Sequence, residues 1–140
     1  MLRVHLIRRS LVNIAEDLLY TKKHEWVKIE GSRARIGITD YAQELLGDIT
    51  FIELPKAGDT LEQFKPFSSV ESVKAATDIF CPLSGEVLLV NEVLSSSPEL
   101  LNSSPYIDGW VVVVEIKNQS EKDNLMDTAA YKSYLEEVSG

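Results

Sequence analysis

Cysteine and histidine are nearly absent from this chain, which removes several classes of chemistry at once. Cys81 is the single cysteine, so neither an intramolecular disulfide nor a cysteine-based metal cluster can form. It precedes Pro82 in a β-prone run, where a small buried apolar side chain is the expected role. The two histidines, His5 and His24, have no helical ligand spacing, which argues against a conventional multi-histidine metal centre. Long apolar runs are missing too. Val111–Val114 is far short of the roughly 20 residues that a membrane helix needs. Basic charge is scarce: 14 Lys and Arg face 22 Asp and Glu, for a net charge of −8 and a pI of about 4.7. Nucleic acid is therefore a poor partner. Residues 1–12 hold three of the cations and no acid, so the remainder carries −11.

What is present suits one ordinary globular domain. The chain has 140 residues, 44% hydrophobic and 26% charged, enough to bury a core of its own. Residues 1–17 read as an N-terminal extension and residues 18–140 as the folded domain. The extension interleaves Arg3, His5, Arg8 and Arg9 with Leu, Val and Ile, and no acid precedes Glu16. That pattern fits a mitochondrial transit segment or a frayed bacterial terminus.

From Leu18 the dominant period is two. Glu25–Glu30 and Arg33–Ile38 alternate polar with apolar residues around Gly31-Ser32 and predict a hairpin. Thr39 is placed to cap a short helix over Asp40–Leu46, with Tyr41, Ala42, Leu45 and Leu46 on one face and Gly47 as the stop. Asp48–Pro55 predicts a strand, as do Glu86–Val90 and the β-branched run Trp110–Ile116. Residues 91–98 read as a polar loop and residues 100–106 as irregular. Ser120-Glu121-Lys122-Asp123 resembles a capping box, with one or two helices over residues 121–137. Leu125, Met126, Ala129, Tyr131, Tyr134 and Leu135 are their candidate packing residues. Short strands with little helix between them predict a mainly β sandwich or barrel with a short internal helix and C-terminal helices.

The most informative stretch is Val70–Asp78. Apolar, β-prone segments flank it, Phe67–Val70 before and Ile79–Pro82 after, so it reads as a hairpin with Lys74 at or near the tip. A Schiff-base or general-base lysine needs burial or neighbouring cations, and here the charged neighbours are Glu71 and Asp78. No nucleophile, base and orienting group can be assembled from the sequence either. An exposed lysine on a rigid hairpin suits covalent modification instead.

Glu71-Ser72-Val73-Lys74-Ala75-Ala76 closely resembles the lipoylation motif of the glycine cleavage system H-protein family. Tyr20–Val27, Gly37–Gln43 with Leu46–Ile49, Ser84–Val87 with Val90-Asn91, and Leu101-Asn102 with Ser104–Tyr106 and Gly109-Trp110 resemble further segments of that family, in order, over residues 18–138. The resemblance implies a barrel-sandwich hybrid of the lipoyl and biotinyl type, extended at both ends. It also implies a non-enzymatic carrier with lipoic acid in amide linkage on Lys74. Glu71, Ser72, Val73 and Ala75 would be read by the modifying enzyme, and Glu25 and Asp78 would line a cleft for the loaded arm. Both acids also fit as plain surface groups.

The partners implied are glycine decarboxylase (P-protein), aminomethyltransferase (T-protein), dihydrolipoamide dehydrogenase (L-protein) and lipoylating enzymes. In the family the arm takes an aminomethyl group from the first and presents it to the second. The expected setting is a monomer in the bacterial cytoplasm, or in the mitochondrial matrix if residues 1–12 are a transit segment. An acidic body suits a soluble carrier that meets several enzymes in turn. Two further readings fit the residues: an H-like relay that supplies lipoyl groups to other complexes, and an unmodified interaction module. A biotin carrier fits less well, because those set the lysine between methionines. Phe64 and Ser68 depart from glycines common in lipoyl domains, and Tyr41 from a histidine found in some relatives.

Overall fold

Alternating side chains build two antiparallel sheets whose apolar faces close on each other. The computed structural model describes residues 12–139, so the basic pattern read in residues 1–11 lies outside the described residues. A six-stranded sheet contains β1 (Leu19–Tyr20), β2 (Glu25–Glu30), β3 (Arg33–Ile38), β5 (Thr60–Leu61), β8 (Gly85–Val90) and β9 (Val112–Ile116), in the order β1-β2-β3-β9-β8-β5. A three-stranded sheet contains β4 (Ile49–Glu53), β6 (Pro66–Ser72) and β7 (Ala76–Phe80), in the order β4-β6-β7. Helices are short: α1 (Asp40–Leu46), α2 (Val93–Ser96), α3 (Leu100–Ser103) and the terminal α4 (Thr128–Ser139), with a 3₁₀ turn over Gln119–Asn124.

The main core lies between the sheets. Val27, Ala34, Ile36, Val87, Val112 and Val114 on one side meet Ile52, Val70 and Ile79 on the other, with Cys81, Leu83, Leu94 and Leu101 closing the ends. Each fully buried side chain of this kind contributes about 1.5–3 kcal/mol relative to exposure. Cys81 is fully buried as expected; burial pushes its thiol up to about 12, and its Sγ donates to the Leu83 carbonyl. A second cluster of Leu18, Tyr20, Trp26, Tyr131 and Leu135 docks α4 against β1 and β2. In it the Tyr20 and Tyr131 rings stack with centroids 4.3 Å apart. Trp26 lies across Gly37, where a Cβ would overlap the indole ring.

Several local expectations change. Residues 91–98 contain α2 and residues 100–106 contain α3, because Leu94 and Leu101 insert into the core and impose single turns on serine-rich sequence. Trp110 precedes β9 instead of opening it, its carbonyl held by the Asn91 side chain. The Ser120 capping box does not form. Asn118 Oδ1 accepts from the Ser120 N–H and hydroxyl, while the Glu121 carboxylate accepts from the Ser84 N–H and hydroxyl. The one or two helices expected over residues 121–137 appear as the 3₁₀ turn and α4, whose buried positions are Thr128, Tyr131 and Leu135, with Ala129 exposed. α1 buries no side chain fully and leaves Leu45 57% exposed, since its apolar face borders a cleft.

Gly85 lets β8 approach β9 closely: a Cβ there would lie 2.3 Å from the Glu115 carbonyl oxygen, well inside van der Waals contact. Gly85→Ala is expected to lower the unfolding free energy by roughly 2 kcal/mol through forced strand displacement. Gly31→Ala, at φ +65° but with open space around the site, is expected to cost about 1 kcal/mol from backbone strain alone. Urea denaturation of both variants measures the difference.

Candidate functional site

Lys74 stands at the end of the β6–β7 hairpin. The register pairs Ser69 with Asp78, Val70 with Thr77 and Glu71 with Ala76, which leaves Val73 and Lys74 as a two-residue tip. The Ser72 N–H donates to the Ala75 carbonyl at 2.8 Å. The Ser72 Oγ accepts from the Lys74 and Ala75 N–H groups at 3.2 and 3.1 Å and donates to the Ala75 carbonyl. This side chain therefore does locally what a glycine-based turn would do, and neither tip residue adopts positive φ. Val73 is 68% exposed, and Lys74, Ala75 and Asp78 are exposed as well.

The tip is anchored from outside the hairpin. The Val73 N–H donates to the Asp48 carbonyl at 3.0 Å. Asp48 sits in the short link between α1 and β4, and that link is held by Asn102. The Asn102 amide donates to Gln43 Oε1 and to the Gly47 carbonyl, and its Oδ1 accepts from the Ile49 N–H. Gly47 ends α1 at φ +75°, with its N–H bonded to the Gln43 carbonyl. A Cβ at Gly47 would lie 3.2 Å from Lys74 Cε, so the lysine stem passes close over this glycine. Gly47 is legible in the sequence as the helix stop, whereas its service to Lys74 emerges only from the fold. The bracing role of Asn102 is likewise tertiary: Leu101-Asn102 belongs to the segments that resemble the family, but nothing local shows which segments its amide joins.

Beside the hairpin lies a cleft of about 380 Å³. Ala75, Ala76 and Asp78 form one wall, Ala42, Leu45 and Leu46 of α1 another, and Glu25 and Phe80 border it. Glu25 is not a surface acid. It is 2% exposed and joins the two sheets, its carboxylate accepting from the Thr21 hydroxyl at 2.5 Å and from the Phe80 N–H at 3.0 Å. Burial raises its pKa to about 7, against the lowering effect of those hydrogen bonds. Next to it His24, at φ +75°, shares a 2.9 Å hydrogen bond with the Tyr131 hydroxyl, which in turn meets the Thr39 hydroxyl. Burial, aided by the Lys23 charge, lowers the His24 pKa to about 4, so its imidazole is neutral near pH 7.

Of the residues singled out from sequence, Lys74, Ser72, Val73 and Ala75 share the tip, while Glu25, Asp78 and Ala75 share the cleft. Glu71 points away from the core on the outer face of the small sheet, paired with Phe51. The departures also find places. Tyr41 rests on the His24 ring with centroids 4.7 Å apart, the Ser68 hydroxyl donates to the Glu53 carbonyl, and Phe64 adopts φ +65° and is half exposed. Among the described residues no group of three or more His, Cys, Asp or Glu is arranged to hold a metal ion, and no helix is long and apolar enough to cross a membrane.

Two packed antiparallel sheets with a lysine displayed on a hairpin tip define a carrier domain of the lipoyl and biotinyl barrel-sandwich class. The profile of the glycine cleavage H-protein family matches residues 18–138. The glycine cleavage system H protein of Halothermothrix orenii is 48% identical over 127 residues, covering 91% of this chain and 99% of that protein. The glycine cleavage system H protein 2, mitochondrial, of Arabidopsis thaliana is 47% identical over 137 residues, covering 97% and 88%. The crystal structure of a glycine cleavage system H protein from Mycobacterium marinum superposes with a TM-score of 0.77 at 30% identity, covering 91% of this chain and all of that one. The chain belongs to the glycine cleavage H-protein family. It is a carrier subunit of glycine cleavage and not a catalyst.

The two buried titrating groups bias stability in opposite directions. The unfolded chain releases the Glu25 proton near 4.5 and the folded chain near 7. Between these values the fold holds the extra proton, so stability falls as pH rises. For His24 the unfolded chain holds the extra proton between about 4 and 6.5, so stability rises with pH there. Relative to Glu25→Gln, the wild type is expected to lose on the order of 3 kcal/mol across the Glu25 window. Urea titrations at a series of pH values measure this, and a pH-independent difference is the contrary result. Asn102→Ala is expected to cost roughly 2 kcal/mol and to speed amide exchange at Ile49 and Val73 together.

Proposed function

We propose that Lys74 is the lipoyl attachment site through which this protein carries the aminomethyl group of glycine between enzymes. The observation that carries the reading is an exposed lysine on an externally braced two-residue tip, directly beside a cleft. A lipoyl group in amide linkage on Nζ supplies a reducible disulfide at the end of a flexible arm. The residues present fit such a group. Lys74 offers a primary amine on an exposed residue, and Gly47 leaves room for its stem.

Each neighbouring residue has a distinct task. Ser72 and the Asp48 carbonyl hold the tip in one conformation, so a modifying enzyme meets Lys74 at a fixed place and angle. Val73, Ala75 and Glu71 are the exposed features around it that such an enzyme reads, and the small Ala75 side chain leaves its active site room. Apolar Ala42 and Leu46 give the cleft a dry wall, while Asp78 and Glu25 set negative or shared-proton character along it. Tethering confines the reacting group near each successive partner, which raises its effective concentration there.

In this reading the partners are glycine decarboxylase, aminomethyltransferase, dihydrolipoamide dehydrogenase and the lipoylating enzymes, met by a monomer in the cytoplasm. Residues 18–140 form the carrier domain. Residues 1–17 are an extension whose Asn13–Ala15 portion is tied to the body through Tyr20, Tyr106 and Thr128.

Intact-protein and peptide mass spectrometry after expression in lipoate-supplied cells tests the assignment. The expected result is one lipoyl increment on the peptide containing Lys74. Lys74→Arg, which keeps the charge, is expected to carry no increment, to retain wild-type stability and to abolish glycine-dependent turnover in the reconstituted system. An unmodified Lys74 in the presence of active lipoylating enzymes overturns the reading.

A further inference from the structure

We propose a second, non-covalent binding site on this protein, which takes a medium-chain carboxylate at a pocket on the far side of Phe80 from the cleft. The pocket holds about 390 Å³ and is walled by Tyr20, Phe64, Phe80 and Met126, with Lys22 and Lys23 also in its lining. That size and apolar lining with a few polar groups are the ordinary attributes of a small-ligand site. Its floor is rigid, because Tyr20 and Met126 exchange backbone hydrogen bonds at 2.8 and 2.9 Å.

Phe64 is the second observation. It holds φ +65°, a conformation in which a bulky side chain is a genuine outlier. Two bonds clamp it there, from the Phe64 N–H to the Cys81 carbonyl and from the Cys81 N–H to the Lys65 carbonyl. Yet the residue remains 47% exposed, so core packing does not account for the strain. What the conformation achieves is to stand an aromatic wall along the pocket, and retained strain of this kind marks functional positions.

Charge selects the ligand. On a chain of net charge −8, two adjacent lysines line this pocket and no described acid does. The Lys23 ammonium lies 5.7 Å from the Phe80 ring centroid and that of Lys22 lies 5.9 Å from the Tyr134 ring centroid. Both are held by rings, and among the described residues neither lies within ion-pair distance of a carboxylate, although Lys23 acts on the buried Glu25 at longer range. An apolar chain with one anionic end satisfies walls and rim together, whereas a cation of equal length meets repulsion. Phe80 and Lys23 also border the cleft beside Lys74, so occupancy here is felt there.

The test is a titration of the full-length protein with octanoate, octan-1-ol and octylamine, followed by ¹⁵N–¹H correlation spectra. Octanoate is expected to shift the amides of Tyr20, Phe64, Phe80 and Met126 saturably at millimolar concentration. Octan-1-ol should bind more weakly and octylamine not at all. Phe64→Gly removes the wall and relieves the backbone, so it should keep the wild-type thermal transition and lose octanoate binding. Lys22→Glu leaves the walls intact and should weaken octanoate severalfold while leaving octan-1-ol unchanged. Absence of saturable shifts at these amides, equal binding of octylamine, or undiminished octanoate binding by Lys22→Glu each overturns the proposal.

Discussion

The placement of Lys74 depends on the side-chain amide of Asn102. That one group receives the Ile49 N–H and donates to the Gly47 carbonyl and the Gln43 side chain. It thereby fixes the link between α1 and β4, from which the Asp48 carbonyl reaches the Val73 N–H at the hairpin tip. An isolated two-stranded hairpin is marginal in water. A tip braced by a neighbouring segment can present a long, solvated side chain without the strands beneath it opening. Stiffness at the root of the arm and freedom beyond it are what a carrier needs. Here the first comes from an amide that is distant in sequence.

Glu25 shows a different compromise. Burying an ionisable carboxyl at the junction of two sheets is costly, and the raised pKa expresses that cost. In return its oxygens satisfy the Phe80 N–H at the end of β7, on the outer edge of the small sheet, which would otherwise lack a partner there. The group stands at the border of the cleft and close to half-protonation near neutral pH. Structural linkage and a tunable charge coincide in one side chain. The neutral His24 beside it, locked to Tyr131 and through it to Thr39, keeps the α4 docking surface free of a competing charge.

Much of the fold was legible because its signals are local. The period of two in Glu25–Glu30 and Arg33–Ile38, the Thr39 cap and the Gly47 stop each follow from neighbouring residues, and all appear as read. Failures occurred where distant contacts override local preference. α2 and α3 are serine-rich single turns that exist because Leu94 and Leu101 are drawn into the core. The capping box at Ser120 is lost because Asn118 takes the Ser120 hydroxyl, while Glu121 is committed to Ser84, 37 residues away. Leu45, apolar and on the expected helical face, is exposed because that face looks onto a cleft instead of a sheet.

The sequence by itself determined that this is a mainly β, acidic, nearly cysteine-free carrier with Lys74 between small and polar neighbours on a hairpin. Those properties reside in composition, short-range periodicity and a contiguous motif. Only the tertiary structure decided that Glu25 is buried and not a surface acid, and that Gly47 and Asn102 serve the lysine. It alone brought Phe64, Phe80 and Met126 around one pocket. The physical reason is that burial, and the hydrogen bonds that compensate it, are properties of which segments meet. In this fold the segments that meet are far apart along the chain: β2 with β7, α3 with the α1–β4 link, and β1 with Met126.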